Sequence, residues 1–135
     1  MLLLALVLTA PTLGIVALLL PSERLRPWLL PIGGLTHAVL VVLALSRGIV
    51  PAFGGYLALD AVGKLVLGFS GLLFALCSLY GPGYLAQRPE RSNRVFVACV
   101  LAFFGAMTLI IVSQHLGLMW VGIETATLCT APLLY

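Results

Sequence analysis

Four side chains in this 135-residue sequence are of types that could move a proton or hold a charge in an apolar setting: Glu124, His37, Asp60 and Lys64. Glu124 lies in the run WVGIETATLCTA, eight residues after Leu116. At about 1.5 Å of rise per residue, that is roughly 12 Å into a helix. An ionisable group so deep in a bilayer costs about 2.5–3.5 kcal/mol on insertion scales, so it marks a function or an assembly contact. Trp120, Glu124, Thr127 and Ala131 share one helical face by i, i+3 and i+4 spacing. The small residues and threonines around them predict packing against other helices rather than lipid. Two roles are open. The carboxyl group can carry a proton as the charges around it change, or it can serve as a neutral hydrogen-bonding group that joins helices.

His37 lies near the centre of another apolar segment. Imidazole can relay protons near neutral pH, but a lone membrane histidine more often bonds two helices, and that reading is preferred. Asp60 and Lys64 stand four residues apart at the start of a helical segment. The expectation is a carboxylate complementing the helix dipole and paired with Lys64. Lys64 could instead snorkel outward, and a place in an ion path stays open for both. Ser113, Gln114 and His115 read as a turn, with His115 a surface group. There is no phosphate loop, metal signature or nucleophile–base arrangement. The chain therefore offers no catalytic site, cofactor site or metal site of its own.

The elements that must position these groups follow from composition. Hydrophobic residues make up 62% of the chain and charged residues 8%, with a mean hydropathy of +1.21. Too few charges remain to coat a water-facing surface, and disorder needs the opposite composition. The net charge of +3 forms no basic stripe with aromatics, so nucleic acid is not a partner. Five stretches reach the roughly 20 apolar residues that cross a bilayer: 1–20, 28–46, 61–80, 94–112 and 116–135. The first lacks a basic leader and its apolar run is too long for a signal peptide, so it is read as a retained helix, kinked at Pro11. The breaks PSERLRP and GPGYLAQRPERSN carry turn chemistry, and 51–56, with FGGY, reads as a surface loop. Cys77, Cys99 and Cys129 sit singly in apolar runs as small buried residues. The expected fold is thus all-α, one membrane domain over 1–135 with five transmembrane helices.

Orientation follows the basic residues. Arg24 and Arg26 lie in the first break, and Arg88, Arg91 and Arg94 at the third. Arg47 and Lys64 flank the second. This bias predicts cytoplasmic first and third breaks, with the N-terminus outside. The segment TAPLLY adds no polar tail, which predicts either cover by another chain or a fragment of a longer protein.

The stretch GYLALDAVGKLVLGFSGLLFALCSLYGPGYL resembles the second-to-third helix region of antiporter-like proton-translocating subunits. These occur in respiratory complex I, membrane-bound hydrogenases and Mrp-type antiporters. The run FFGAMTLIIVSQHLGLMWVGIETATL resembles their fourth and fifth helices, and LGLMWVGIETATL looks most like hydrogenase-4 component F. The resemblance covers about half the chain. It implies that Glu124 matches the helix-five glutamate of the proton-translocation machinery, which works with a lysine on a later broken helix. Asp60 matches an acidic position before the third helix, while Lys64 and His37 match no functional motif. A complete family member has many more helices, arranged as inverted repeats. On this resemblance the chain stands for the N-terminal part of such a subunit, or for a split subunit completed by another chain. It implies a multi-pass protein of the cytoplasmic membrane, within a hydrogenase-4 or NADH–quinone oxidoreductase type of complex whose redox centres lie in other subunits. Two alternatives are a subunit of an Mrp-type cation/proton antiporter and a small structural assembly protein.

Overall fold

The computed structural model describes residues 1–48, 50–90 and 92–134. Arg91, counted above with the basic residues of the third break, and Tyr135, the expected end of the fifth stretch, lie outside the described residues. Among the described residues five α-helices follow one another: α1 (Leu2–Leu19), α2 (Leu29–Ser46), α3 (Ala61–Ala86), α4 (Asn93–Val112) and α5 (Leu116–Leu134). Each is long and apolar enough to cross a membrane. A helix satisfies its backbone internally, which hydrocarbon demands. The protein is therefore an all-α, multi-pass membrane protein with five candidate spans. Among the described residues, β pairing is limited to two isolated bridges.

Three helix pairs carry most of the packing: α1 with α4, α4 with α5, and α2 with α3. The contact of α3 with α4 is much slighter. Small residues set the close approaches, since lipid tails are as apolar as leucine and tight fit must do the work. A Cβ at Gly14 would stand 3.1 Å from the Ala98 carbonyl oxygen and 3.5 Å from Leu101. Gly105 leaves room for the ring of Pro11, and Gly34 for the side chain of Ser78. The proline inside α1 is thus received by a bare backbone on α4. Leu6, Leu67, Phe74, Val97 and Leu101 fill the interior.

Both ends of the bundle are tied. At one end Arg26, before α2, bonds Asn93 at the start of α4. At the other, Leu57 bridges Ala52 and also Ser113. Ala58 N donates to Val112 O at 2.9 Å, and Gln114 N to Tyr56 O at 2.8 Å. The first and third breaks therefore share one end and the second and fourth share the other, as alternating spans require. The 51–56 loop is exposed and turns through positive φ at Phe53, Gly54 and Gly55.

Two expectations are corrected. The third helix does not stop at Tyr80 but continues through Gly81, Pro82 and Gly83 to Ala86. Gly81 is buried, and a Cβ there would meet Leu30 Cδ1 at 2.6 Å. The extra turn also packs Tyr84 beside Phe96, with ring centroids 6.1 Å apart. Glycine and proline end helices in water, but an apolar surrounding offers the freed backbone nothing better than the helix. The cysteines are also not uniformly buried: Cys77 is exposed and the other two are half-buried. A thiol gains little by turning inward when the outside is hydrocarbon.

Candidate functional site

Glu124 stands at the middle of α5, on the face turned away from the bundle. The packed face carries Gly122 and Ala126. A Cβ at Gly122 would meet Ile110 Cγ1 at 2.7 Å. These two residues flank Glu124 at two positions on either side, about 200° around the helix at 3.6 residues per turn. Glu124 is thereby directed opposite to α4. All four residues of the Trp120–Glu124–Thr127–Ala131 face are exposed, so no helix among the described residues covers the face expected to pack against other helices. The small residues that do the packing sit on the other side.

The threonines beside it ask for nothing further. Thr125 Oγ1 donates to Val121 O at 2.7 Å, Thr127 Oγ1 to Glu124 O at 2.8 Å, and Thr130 Oγ1 to Thr127 O at 2.7 Å. The hydroxyls are spent on their own helix. The Glu124 carboxyl has no side-chain bond among the described residues, so it is the outstanding polar group on this face.

His37 is buried between three helices. Its Nε2 lies 3.4 Å from Thr108 Oγ1 on α4, and its ring meets Phe74 of α3 edge-on at 5.6 Å. The Thr108 hydroxyl donates to Phe104 O at 2.9 Å. With that proton committed, the oxygen is left to accept, which assigns the ring hydrogen to Nε2. Nδ1 is then a buried acceptor with no partner among the described residues. A relay needs a group on each ring nitrogen, and this arrangement supplies one, across α2 and α4.

Asp60 and Lys64 do not form the expected pair. Asp60 is the N-cap of α3, and its Oδ1 accepts from Gly63 N at 2.6 Å. Among the described residues the ion pair is Arg26–Glu23, at 2.9 Å. An orphan N–H at a helix start is a fixed, nearby donor. An ammonium on a flexible stem must lose rotamer freedom to compete, and the cap wins.

Arg26 stands in the sequence only as one of the basic residues of the first break. It is 2% exposed. Nη1 donates to Glu23 Oε1 at 2.9 Å and to Asn93 Oδ1 at 2.8 Å, and Nη2 donates to Leu20 O at 2.5 Å. Asn93 in turn donates from Nδ2 to Glu23 O at 3.0 Å. The hydrogen bond from Arg26 holds the Glu23 carboxyl below its ordinary value of 4.5. The signal in the sequence was the Glu23–Arg26 spacing of three within a break too short to leave either group idle.

The four candidates are not brought together. Among the described residues no side-chain bond or ion pair joins any two of Glu124, His37, Asp60 and Lys64, and no three His, Cys, Asp or Glu side chains gather as metal ligands. Comparison with known protein families, curated proteins and solved structures finds no match for the chain.

Proposed function

We propose that the chain is a subunit, or part of one, of a redox-linked proton-translocating membrane complex of the hydrogenase-4 or NADH–quinone oxidoreductase type, with Glu124 in the proton path. The cytoplasmic membrane is its site, with the Arg26 end of the bundle inward. The observation that carries the reading is the placement of Glu124: mid-span, outward, and without a partner in its own chain. Such a carboxyl group in hydrocarbon calls for a facing group on another helix. A cation there, approaching and retreating, would switch the carboxyl between holding and releasing a proton. The likeness of LGLMWVGIETATL to the helix-five region of antiporter-like subunits supports the same role. Proton conduction then runs between α5 and the helices that cover it, while electron transfer belongs to other subunits.

A second reading has its own observation. Because the threonines are self-satisfied, a single interhelical hydrogen bond from Glu124 would complete this face, as in a structural assembly protein. The two separate by substitution. Gln is nearly isosteric but cannot ionise. In the assembled complex, at matched levels in sealed vesicles, Glu124→Gln is expected to abolish most proton pumping, and Glu124→Asp to keep part of it. Normal pumping with Gln, and a larger loss with the shorter Asp, would refute the proton-carrier role and favour assembly.

A further inference from the structure

The slight contact between α3 and α4 leaves a seam, and cavities line it from the Arg26 end as far as Phe74 and Phe104, whose rings stack across it at 3.7 Å. At the end that carries Arg26, an open cleft of about 830 Å³ is bordered by Arg24, Trp28 and Arg88. It shares Arg88, Ser92 and Asn93 with a neighbouring cavity of about 410 Å³. That cavity shares Tyr84 and Phe96 with a narrow one of about 180 Å³. The narrow one shares Cys77 and Phe104 with a fourth, of about 300 Å³, which ends against His37 and Thr108. The three nearer the Arg26 end form one groove, charged at its mouth and lined beyond it by aromatic and aliphatic side chains, and the fourth lies past the stacked rings. From Tyr84 to Phe74 it follows α3 for 10 residues, about 15 Å. One leaflet of hydrocarbon is about 15 Å deep.

The mouth is electropositive. Glu23 is engaged by Arg26. Arg24 and Arg88 are both exposed and make no ion pair among the described residues. The Arg88 guanidinium stands 5.4 Å over the Tyr84 ring, which holds it at the entrance. Trp28, 60% exposed, lines the same cleft. Exposed Trp and Tyr at a helix end mark the headgroup level of a bilayer. An inner cavity of about 180 Å³ does not admit a helix, whose diameter with side chains is about 10 Å. It does admit a single hydrocarbon chain.

We propose that the α3–α4 seam is a binding site for an anionic phospholipid, its phosphate group on Arg24 and Arg88 and one acyl chain lying along Tyr84, Phe96, Cys77 and Phe104. Each arginine near a lipid phosphate favours the anionic lipid about fivefold, so the two together give roughly 30-fold. This inference does not depend on the proton-translocation reading.

The test uses the chain in phosphatidylcholine vesicles with Trp120→Phe, which leaves Trp28 as the fluorophore. Phosphatidylglycerol with brominated acyl chains should quench Trp28 far more than brominated phosphatidylcholine at equal content. Arg24→Gln with Arg88→Gln should remove that preference, about 30-fold. Both arginines lie on the surface outside the Arg26 cluster, and circular dichroism checks that the helices persist. Inorganic phosphate at millimolar concentration should not release the lipid, because the acyl chain contributes to its hold. Equal quenching by the two lipids, a preference that survives loss of both arginines, or release by phosphate alone would each overturn the proposal. So would rapid Cys77–Cys77 cross-linking between copies that lack the other two cysteines, since a second chain would then fill the seam.

Discussion

Replacing Arg26 by Met tests whether the loops at one end are held by a single guanidinium. Methionine keeps much of the volume and removes the donors. Two of the acceptors are neutral: Asn93 Oδ1 at 2.8 Å and Leu20 O at 2.5 Å. A hydrogen bond from a charged donor is worth about 1.5–3 kcal/mol net, and partly buried acceptors argue for the low end, about 3 kcal/mol for the pair. The buried Nε has no partner; removing it returns about 1 kcal/mol. The Glu23 carboxylate is solvated, so the neutral acceptors carry the figure. The net expectation is a loss of about 2 kcal/mol for Arg26→Met, against little change for Arg24→Met, whose side chain is exposed. Unfolding by SDS in mixed micelles, followed by circular dichroism, measures both. Arg26→Lys should fall between them, because an ammonium gathers its donors on one nitrogen and cannot span the acceptors that Nη1 and Nη2 reach separately. A cost below about 0.5 kcal/mol for Arg26→Met, or equal losses at Arg24 and Arg26, would refute the reasoning.

Glu23 is held below its ordinary value of 4.5 by Arg26, so its contribution is present above that pH and is lost as pH falls through the lowered value; the gap between parent and Arg26→Met unfolding curves should therefore narrow slightly in acid but persist, since the bonds to Asn93 and Leu20 do not titrate. Asp60→Ala should cost about 1 kcal/mol through the lost cap, whereas Lys64→Met should be nearly silent, and a double-mutant cycle should show no coupling between them. Gly34→Val should destabilise strongly by forcing α2 away from Ser78, while Gly48→Ala, with nothing within 4 Å, should be tolerated, both read by the same SDS titration. Cysteine labelling in intact cells, in a background without native cysteines, should reach Val50→Cys from outside but not Leu25→Cys, and the reverse pattern would invert the proposed orientation.

What could be read from residue types alone was the number of spans, because a run of about 20 apolar residues has few other uses. The breaks were legible where charge accompanied proline, as in PSERLRP. They misled at Gly81–Pro82–Gly83, where the turn signal belongs to water and the helix continues in an apolar surrounding. Periodicity correctly grouped Trp120, Glu124, Thr127 and Ala131 on one side of α5. It could not say which side meets α4, because Gly122 and Ala126 present an equally small stripe half a turn away. The Asp60–Lys64 spacing fitted an ion pair, yet a cap at the same residue is local and stronger. Arg26 was visible only as charge; that it reaches Asn93, 67 residues on, is a consequence of the fold.

The pairing of α1 with α4 has a consequence for how the molecule is made. The Ala10–Gly14 surface of α1 is matched to Ala98, Leu101 and Gly105, and α4 ends about 90 residues after α1 does. At roughly 5–20 residues per second of synthesis, the first helix waits on the order of 5–20 s for its partner. During that interval its small-residue stripe lies open to any other helix nearby. The ribosome's pace, and whatever shelters a nascent span, therefore bear on this bundle more than on one whose neighbours in sequence are its neighbours in space.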